Sequence, residues 1–354
     1  MRKKSLGFVA ATFLVLLGLA IVLVGAWGTL ALSYRGPQDA TLRNALVIAF
    51  AIASLAALIA LAMPTWRWRA LGSYLVLFVV MLVWWETIEP SNQRVWQRDV
   101  AALPYATING DLVTVHNIRN FAYRSETDYT PAWYAKRFDL RKLQGVDLVA
   151  VYWMGPAIAH VFLSFDFGDN DHLAISIETR KEMGEDYSTL KGFFREYELY
   201  YVVADERDVI RLRTNYRHAP PEQVYIYRLQ GDLENARRLF LEYLKRINGL
   251  REHPEFYNTL TTNCTTTIWM NTRVNPSHLP FDWKILASGY LPEYLYEQGR
   301  LASHGLPFAE LQRRVHVNAR AQAADAAADF SRRIRQQETP WPSEASGNQQ
   351  AGSP

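Results

Sequence analysis

Between residue 6 and about residue 32 the chain carries no charged side chain, directly after the basic start Met1-Arg2-Lys3-Lys4. That run narrows the fold more than any other feature. A secretory signal also begins basic, but its apolar region is only ~7–15 residues long. This one is nearly double that, and no small-residue cleavage site follows. A bilayer leaves a backbone of this kind one solution, a helix that satisfies its own N–H and C=O groups. A second apolar stretch covers residues 45–63 and ends at Pro64. The third, residues 70–85, is shorter and reaches full thickness once Thr87 and Ile88 are counted. Trp66 and Trp68 at one end, with Trp84 and Trp85 at the other, provide interfacial belts. Residues 1–89 therefore read as a membrane anchor of three transmembrane helices.

Orientation follows from the positive flanks. Arg2, Lys3 and Lys4 stay inside, as do Arg67 and Arg69, while Arg35 and Arg43 in the first loop weaken that bias without reversing it. Three spans from an inside start deliver residue 90 onward to the outer side. A third segment held in the interface would instead leave the domain on the inner side.

The remainder is water-soluble and aromatic-rich. The whole chain has 38 basic and 35 acidic residues, well mixed, giving +3, with none of the basic footprint of a nucleic-acid binder. No Cys/His cluster has zinc spacing, so neither a metal nor another cofactor is expected. Strand-like runs cover residues 112–115, 118–123 and 148–153. The alternating pair 160–167 and 172–178, joined by Gly168-Asp169-Asn170-Asp171, reads as a hairpin, with further strands at 198–204 and 224–229. Residues 234–248 have helical spacing, and residues 285–296 follow, broken by Pro292. The soluble domain, residues 90–305, is thus predicted as α+β, with an antiparallel sheet and a cysteine-bearing helix packed on it. Residues 306–337, Ala- and Arg-rich from 310, are predicted as a C-terminal helix. Residues 338–354, rich in Pro, Ser, Gly and Gln, are predicted as a disordered tail.

Cys264 is the only cysteine, so no internal disulfide is available, and in an oxidising compartment such a thiol is either buried and inert or used. Its surroundings, Thr261-Thr262-Asn263-Cys264-Thr265-Thr266-Thr267, crowd hydroxyl and amide residues at a helix start. Unpaired N–H groups and the positive dipole end favour a thiolate there. Asn263 and Thr262 are cap-type residues that order such a turn. His160, opening the first hairpin strand, is the expected base. His172, Ser176 and Glu178 are the alternatives for the third group that fixes the imidazole. Arg180, facing a cleft, would steer a phosphate headgroup. Bland readings stand beside these: His172 solvated after its turn, residues 178–182 an exposed charged stretch, and Asp205-Glu206-Arg207-Asp208 a solvated turn.

The stretches Ala159-His160-Val161-Phe162-Leu163-Ser164-Phe165, Leu173-Ala174-Ile175-Ser176-Ile177-Glu178-Thr179-Arg180, Tyr197-Glu198-Leu199-Tyr200-Tyr201-Val202-Val203, Tyr257-Asn258 and Thr262-Asn263-Cys264-Thr265-Thr266 resemble the Lnb N-terminal periplasmic domain family. The resemblance covers most of residues 110–300. That family takes its name from a bacterial lipoprotein N-acyltransferase and is related to permuted NlpC-type and lecithin:retinol acyltransferase-like thiol enzymes of papain-like fold. It implies a nucleophile at Cys264 and a base at His160, and His172 would match the second histidine of the lecithin:retinol type. The namesake's further membrane segments follow the domain, whereas here the spans precede it.

The expectation is therefore a multi-pass protein of the bacterial inner membrane whose soluble domain faces the periplasm. It would act as a cysteine acyltransferase or hydrolase, through a thioester, on a lipid or lipoprotein acyl group. A cell-wall peptide amidase or endopeptidase and a non-catalytic envelope scaffold are the alternatives. Nothing in the sequence specifies an oligomeric state.

Overall fold

The computed structural model describes residues 2–337. The predicted tail at 338–354 lies outside the described residues. The chain forms two units, one of residues 1–91 with 188–197, the other of residues 92–187 with 198 onward.

The first unit holds α1 (Arg2–Arg35), α2 (Ala40–Leu61) and α3 (Arg67–Glu86), each long and apolar enough to cross a membrane. The third segment, short in sequence, thus gains its length by starting at Arg67. Asp39 caps α2 by accepting from the Leu42 N–H at 2.8 Å. Close packing rests on small residues: a Cβ on Gly28 would come within 2.4 Å of the Phe50 ring. One polar chain crosses all three helices, with Ser54 Oγ 2.9 Å from the Tyr74 hydroxyl and that hydroxyl donating to the Ile21 carbonyl at 3.5 Å. Where lipid is the solvent such buried polar groups must find each other. The returning segment joins this unit through Arg195, which donates to the Trp85 carbonyl at 2.6 Å and to Glu86 at 3.1 Å.

The second unit is built on an eight-stranded sheet. Its strands are β1 (Tyr105–Asn109), β2 (Leu112–Arg119), β5 (Trp133–Asp139), β6 (Gly145–Tyr152), β7 (Ala159–Asp166), β8 (His172–Arg180), β9 (Glu198–Ala204) and β10 (Gln223–Arg228); a separate small ribbon pairs β3 (Ala122–Tyr123) with β4 (Tyr129–Thr130). The order is β1-β2-β9-β8-β7-β6-β10, with β5 also on β2. Pairing is antiparallel except where β2 meets β9 at Arg119↔Ala204. The predicted hairpin is β7–β8. The strand read at 118–123 divides instead. Asn117 adopts φ 59° where the register of β2 slips, and the chain turns off after Arg119.

Both faces of the central strands are buried, which is why β7 reads as a nearly continuous apolar run. On one face Phe165 packs against Phe240 and Tyr243 of α5 (Leu233–Glu252), with ring centroids 4.9 and 5.8 Å apart. α6 (Cys264–Thr272), α7 (Trp283–Leu286) and α8 (Leu291–Glu297) complete that layer. On the other face Phe162, Val149, Val151 and Val202 share a core with Val209 and Ile210 of α4 (Glu206–Arg211) and with Ala321, Phe330 and Ile334 near the C-terminus.

The predicted helix over 306–337 is three short ones, α9 (Phe308–Val315), α10 (Asn318–Ala323) and α11 (Phe330–Arg333). The open edge of β10 interrupts it. His316 bridges Tyr225, the Val317 N–H donates to the Val224 carbonyl at 2.9 Å, and Asn318 accepts from the Val224 N–H at 2.8 Å. Satisfying those strand groups removes His316 and Val317 from helical geometry.

The run Asp205-Glu206-Arg207-Asp208 is not a solvated turn. Asp208 is fully buried, accepting from Arg119 Nε at 3.0 Å, the Phe121 N–H at 2.7 Å and the Tyr123 hydroxyl at 3.1 Å.

Candidate functional site

α6 begins at Cys264 because Asn263 caps it. Asn263 Oδ1 accepts from the Thr266 N–H at 2.9 Å, and Thr266 Oγ1 accepts from the Asn263 N–H at 3.0 Å. This reciprocal box fixes the first turn. The thiol consequently sits where the free N–H groups of the helix converge.

The sheet is notched opposite that helix end. The β7–β8 ladder runs from Asp166↔His172 to Leu163↔Ile175, while β8 stays paired with β9 through Arg180↔Glu198. His160 and Val161 thus lie beyond the part of β7 that pairs with β8, while β6 still holds them at Val151↔His160 and Ala150↔Val161. The Val161 N–H donates to the sulfur of Cys264, and the His160 imidazole hydrogen-bonds it. His160 Nε2 is 2.7 Å from Ser176 Oγ and 3.0 Å from Glu178 Oε1. With Nε2 so engaged, Nδ1 is the ring nitrogen left for the sulfur. Ser176 Oγ donates to Glu178 Oε1 at 2.8 Å. Arg213, in the π-helical turn Leu212–Tyr216, donates to the same oxygen at 3.0 Å and meets Glu222 at 3.3 Å.

The electrostatics follow from this chain of partners. Burial disfavours the charged form of His160, and Arg213 opposes it too. The charge of the Glu178 carboxylate and the hydrogen bonds that the imidazolium donates to Cys264 and Glu178 outweigh both and raise its pKa to about 9. Burial likewise pushes the Cys264 thiol up, but the hydrogen bond and charge of His160, with the Val161 N–H, bring it below the ordinary thiol value. Glu178 is held well below the usual carboxylate range: burial raises it, and His160, Arg213 and Ser176 lower it further. Both shifts run toward a thiolate facing an imidazolium. Tyr257, packed close to the sulfur and tied to Tyr187, is pushed up first by burial and then by the thiolate, so it remains a neutral phenol.

A cavity of about 220 Å³ flanks α6, with Thr265 in its wall beside Leu148, Leu163, Leu239, Ile268 and Trp269. Its lining is mostly hydrocarbon.

Residues 129–289 match the family model described as the Lnb N-terminal periplasmic domain. The chain carries an Lnb N-terminal periplasmic domain. No curated protein and no solved structure matches the chain. The matched segment runs from β4 to the turn before α8 and contains His160, Ser176, Glu178, Arg213 and Cys264. The three apolar helices precede it.

Within this Lnb N-terminal periplasmic domain the residues read from sequence divide. Cys264, His160, Ser176 and Glu178 come together. His172 does not: it opens β8 opposite Asp166, about 20 Å along the sheet from His160 at 3.3 Å per residue. Its side chain is buried near Asp166, at 3.5 Å, with neither ring nitrogen hydrogen-bonded among the described residues. It also approaches Asp147 and Glu206, whose carboxylates are neutralised by Arg228 and Arg335. Arg180 does not face a cleft either. It is 2 % exposed, donates to the Val100 and Ala101 carbonyls and to Asn92, and lies 4.2 Å over the Trp96 ring. No phosphate can reach it. Asn263 serves as the cap, its amide donating to the Thr259 carbonyl at 2.7 Å, so it orders the helix start. Arg213 carried no signal in the sequence, since it belongs to a charged stretch that gives no hint of pointing inward.

Proposed function

We propose that the chain is a membrane-anchored thiol acyltransferase or hydrolase at the periplasmic face of a bacterial inner membrane, acting on the acyl group of a lipid or lipoprotein. One observation carries this reading: the sulfur at the start of α6 meets an imidazole whose other nitrogen is held by Ser176 and Glu178. That is the arrangement a covalent acyl transfer needs, a thiolate, a proton carrier and a group that fixes it.

The steps balance without a cofactor. The Cys264 thiolate attacks the acyl carbonyl, with the Cys264 N–H at the free end of α6 facing the oxyanion. Collapse breaks the acyl C–O bond, and His160 gives its proton to the departing alkoxide. An amine or a water then attacks the thioester, His160 takes the proton released, and the thiolate leaves. Because His160 is already protonated near neutral pH, it acts first as the acid and only afterwards as the base. Glu178, Ser176 and Arg213 are positioning residues.

The test is intact-protein mass after incubating the full chain with labelled phospholipid and, separately, with muropeptides. An acyl adduct from phospholipid that is lost in Cys264→Ala is expected, with acylation ~10²–10⁴-fold slower in His160→Ala. Turnover of muropeptides alone would move the activity to cell-wall peptide. No adduct or product with either would leave a scaffold role.

A further inference from the structure

The end of the sheet that holds Cys264 is ringed by large apolar side chains left in the open. Met154 and Ile158 lie on the β6–β7 loop just before His160, Leu260 on the turn before Cys264, and Trp283 and Leu286 on α7. Their exposure runs from 40 % at Leu286 to 69 % at Met154. Scattered singly these would need no explanation, but they are joined. The Gly289 N–H donates to the Ala157 carbonyl at 3.0 Å and the Ala159 N–H to Ser288 Oγ at 3.0 Å, which locks the segment after α7 onto the β6–β7 loop. Gly289 permits this, since a Cβ there would come within 2.0 Å of the Pro156 carbonyl. Thr265 Oγ1 donates to the Ile285 carbonyl at 2.6 Å, which ties α7 to the first turn of α6. The apolar residues therefore form one rim around the thiol.

The chain's own connections lie at the same end. Asn92, where this unit begins, accepts from Arg180 at the end of β8. Glu198, where the chain re-enters, is the register partner of Arg180. Tyr187, where the chain departs, is bonded to Tyr257 beside the sulfur. Only residues 87–91 separate α3 from Asn92. Every tether to the apolar helices thus leaves from the thiol end of the sheet, and a bilayer is the one surface always within reach of it.

We infer that this rim is a lipid-docking surface: Met154, Ile158, Leu260, Trp283 and Leu286 enter the headgroup–acyl boundary and bring Cys264 to the level of the lipid ester. Trp283 is suited to that depth, its indole being apolar in body and polar at one edge. Partial burial of five such side chains in hydrocarbon at about 25 cal/mol per Å² is enough to hold a tethered domain in place, since the tether already removes most of the entropy of association.

The experiment uses the full chain in a Cys264→Ser background, so that it is independent of any thiol chemistry. Spin labels are placed singly through Met154→Cys, Leu260→Cys and, as the control, Lys142→Cys, an exposed position at the opposite end of the sheet. The protein is reconstituted into phosphatidylethanolamine–phosphatidylglycerol vesicles. Labels at 154 and 260 are expected to collide with dissolved oxygen several-fold more often than with a water-soluble nickel complex, and the label at 142 the reverse. Nickel-dominated collisions at all three sites overturn the proposal. So does protection from both reagents at 154 and 260, which would mean that protein covers the rim.

Discussion

At the sulfur of Cys264 two opposed effects meet: burial penalises a thiolate, while an imidazolium and the Val161 N–H reward it. The balance depends on Glu178, because without a carboxylate at Nε2 the imidazole has no reason to keep its proton in so enclosed a place. Glu178→Gln should therefore lower the His160 pKa from about 9, moving the alkaline limb of the pH–rate profile down by about 1–3 pH units. A rate measured at pH 8 should fall well before one measured at pH 6, and an unshifted limb would remove Glu178 from the mechanism. Cys264 and His160 were legible because one thiol among cap-type residues has few structural uses, and because a strand start is accessible. His172 was misjudged for a reason the hairpin itself contains. In an antiparallel pair the residue opening the second strand faces the end of the first, so His160 and His172 are held apart by the full strand length. Arg180 fails differently: it follows Glu178 on the same face by two residues, already past the notch and under Trp96.

The elements that carry the site are held by buried polar groups that a composition-based reading assigns to solvent. Asp208 on α4 satisfies Arg119, the Phe121 N–H and Tyr123 at once, which anchors the helix leading into the turn of Arg213. Removing it leaves the buried Arg119 guanidinium with only the Asp99 carbonyl and takes the partner from the Phe121 N–H, so Asp208→Ala should cost about 3–5 kcal/mol in thermal or denaturant unfolding. Asp128→Ala, which breaks the exposed pair with Arg124, should leave stability nearly unchanged. Equal effects would show that Asp208 is not the keystone claimed. Strands β6 to β9 were visible in the sequence because a doubly covered strand is apolar throughout. β5 and the broken C-terminal helices were not, since a half-exposed edge strand has weak alternation and the helix breaks answer to the open edge of β10.

Across the whole molecule the sharpest sequence signal and the clearest structural division coincide: three apolar helices form one unit and the sheet another. The helices lie within a few residues of the uncharged stretches, because a bilayer tolerates little else at that length. The sheet unit concentrates the chain's only cysteine, its notch and its tethers at one end. With a single cysteine in 354 residues, alkylation of the intact protein reports one site. The most direct measurement is the rate of iodoacetamide modification against pH, followed by mass in the full chain and in His160→Ala. Half-maximal reactivity is expected below the ordinary thiol value, near 8.5, and should rise toward it in His160→Ala. A wild-type curve that tracks a free thiol, indifferent to His160, would contradict the account.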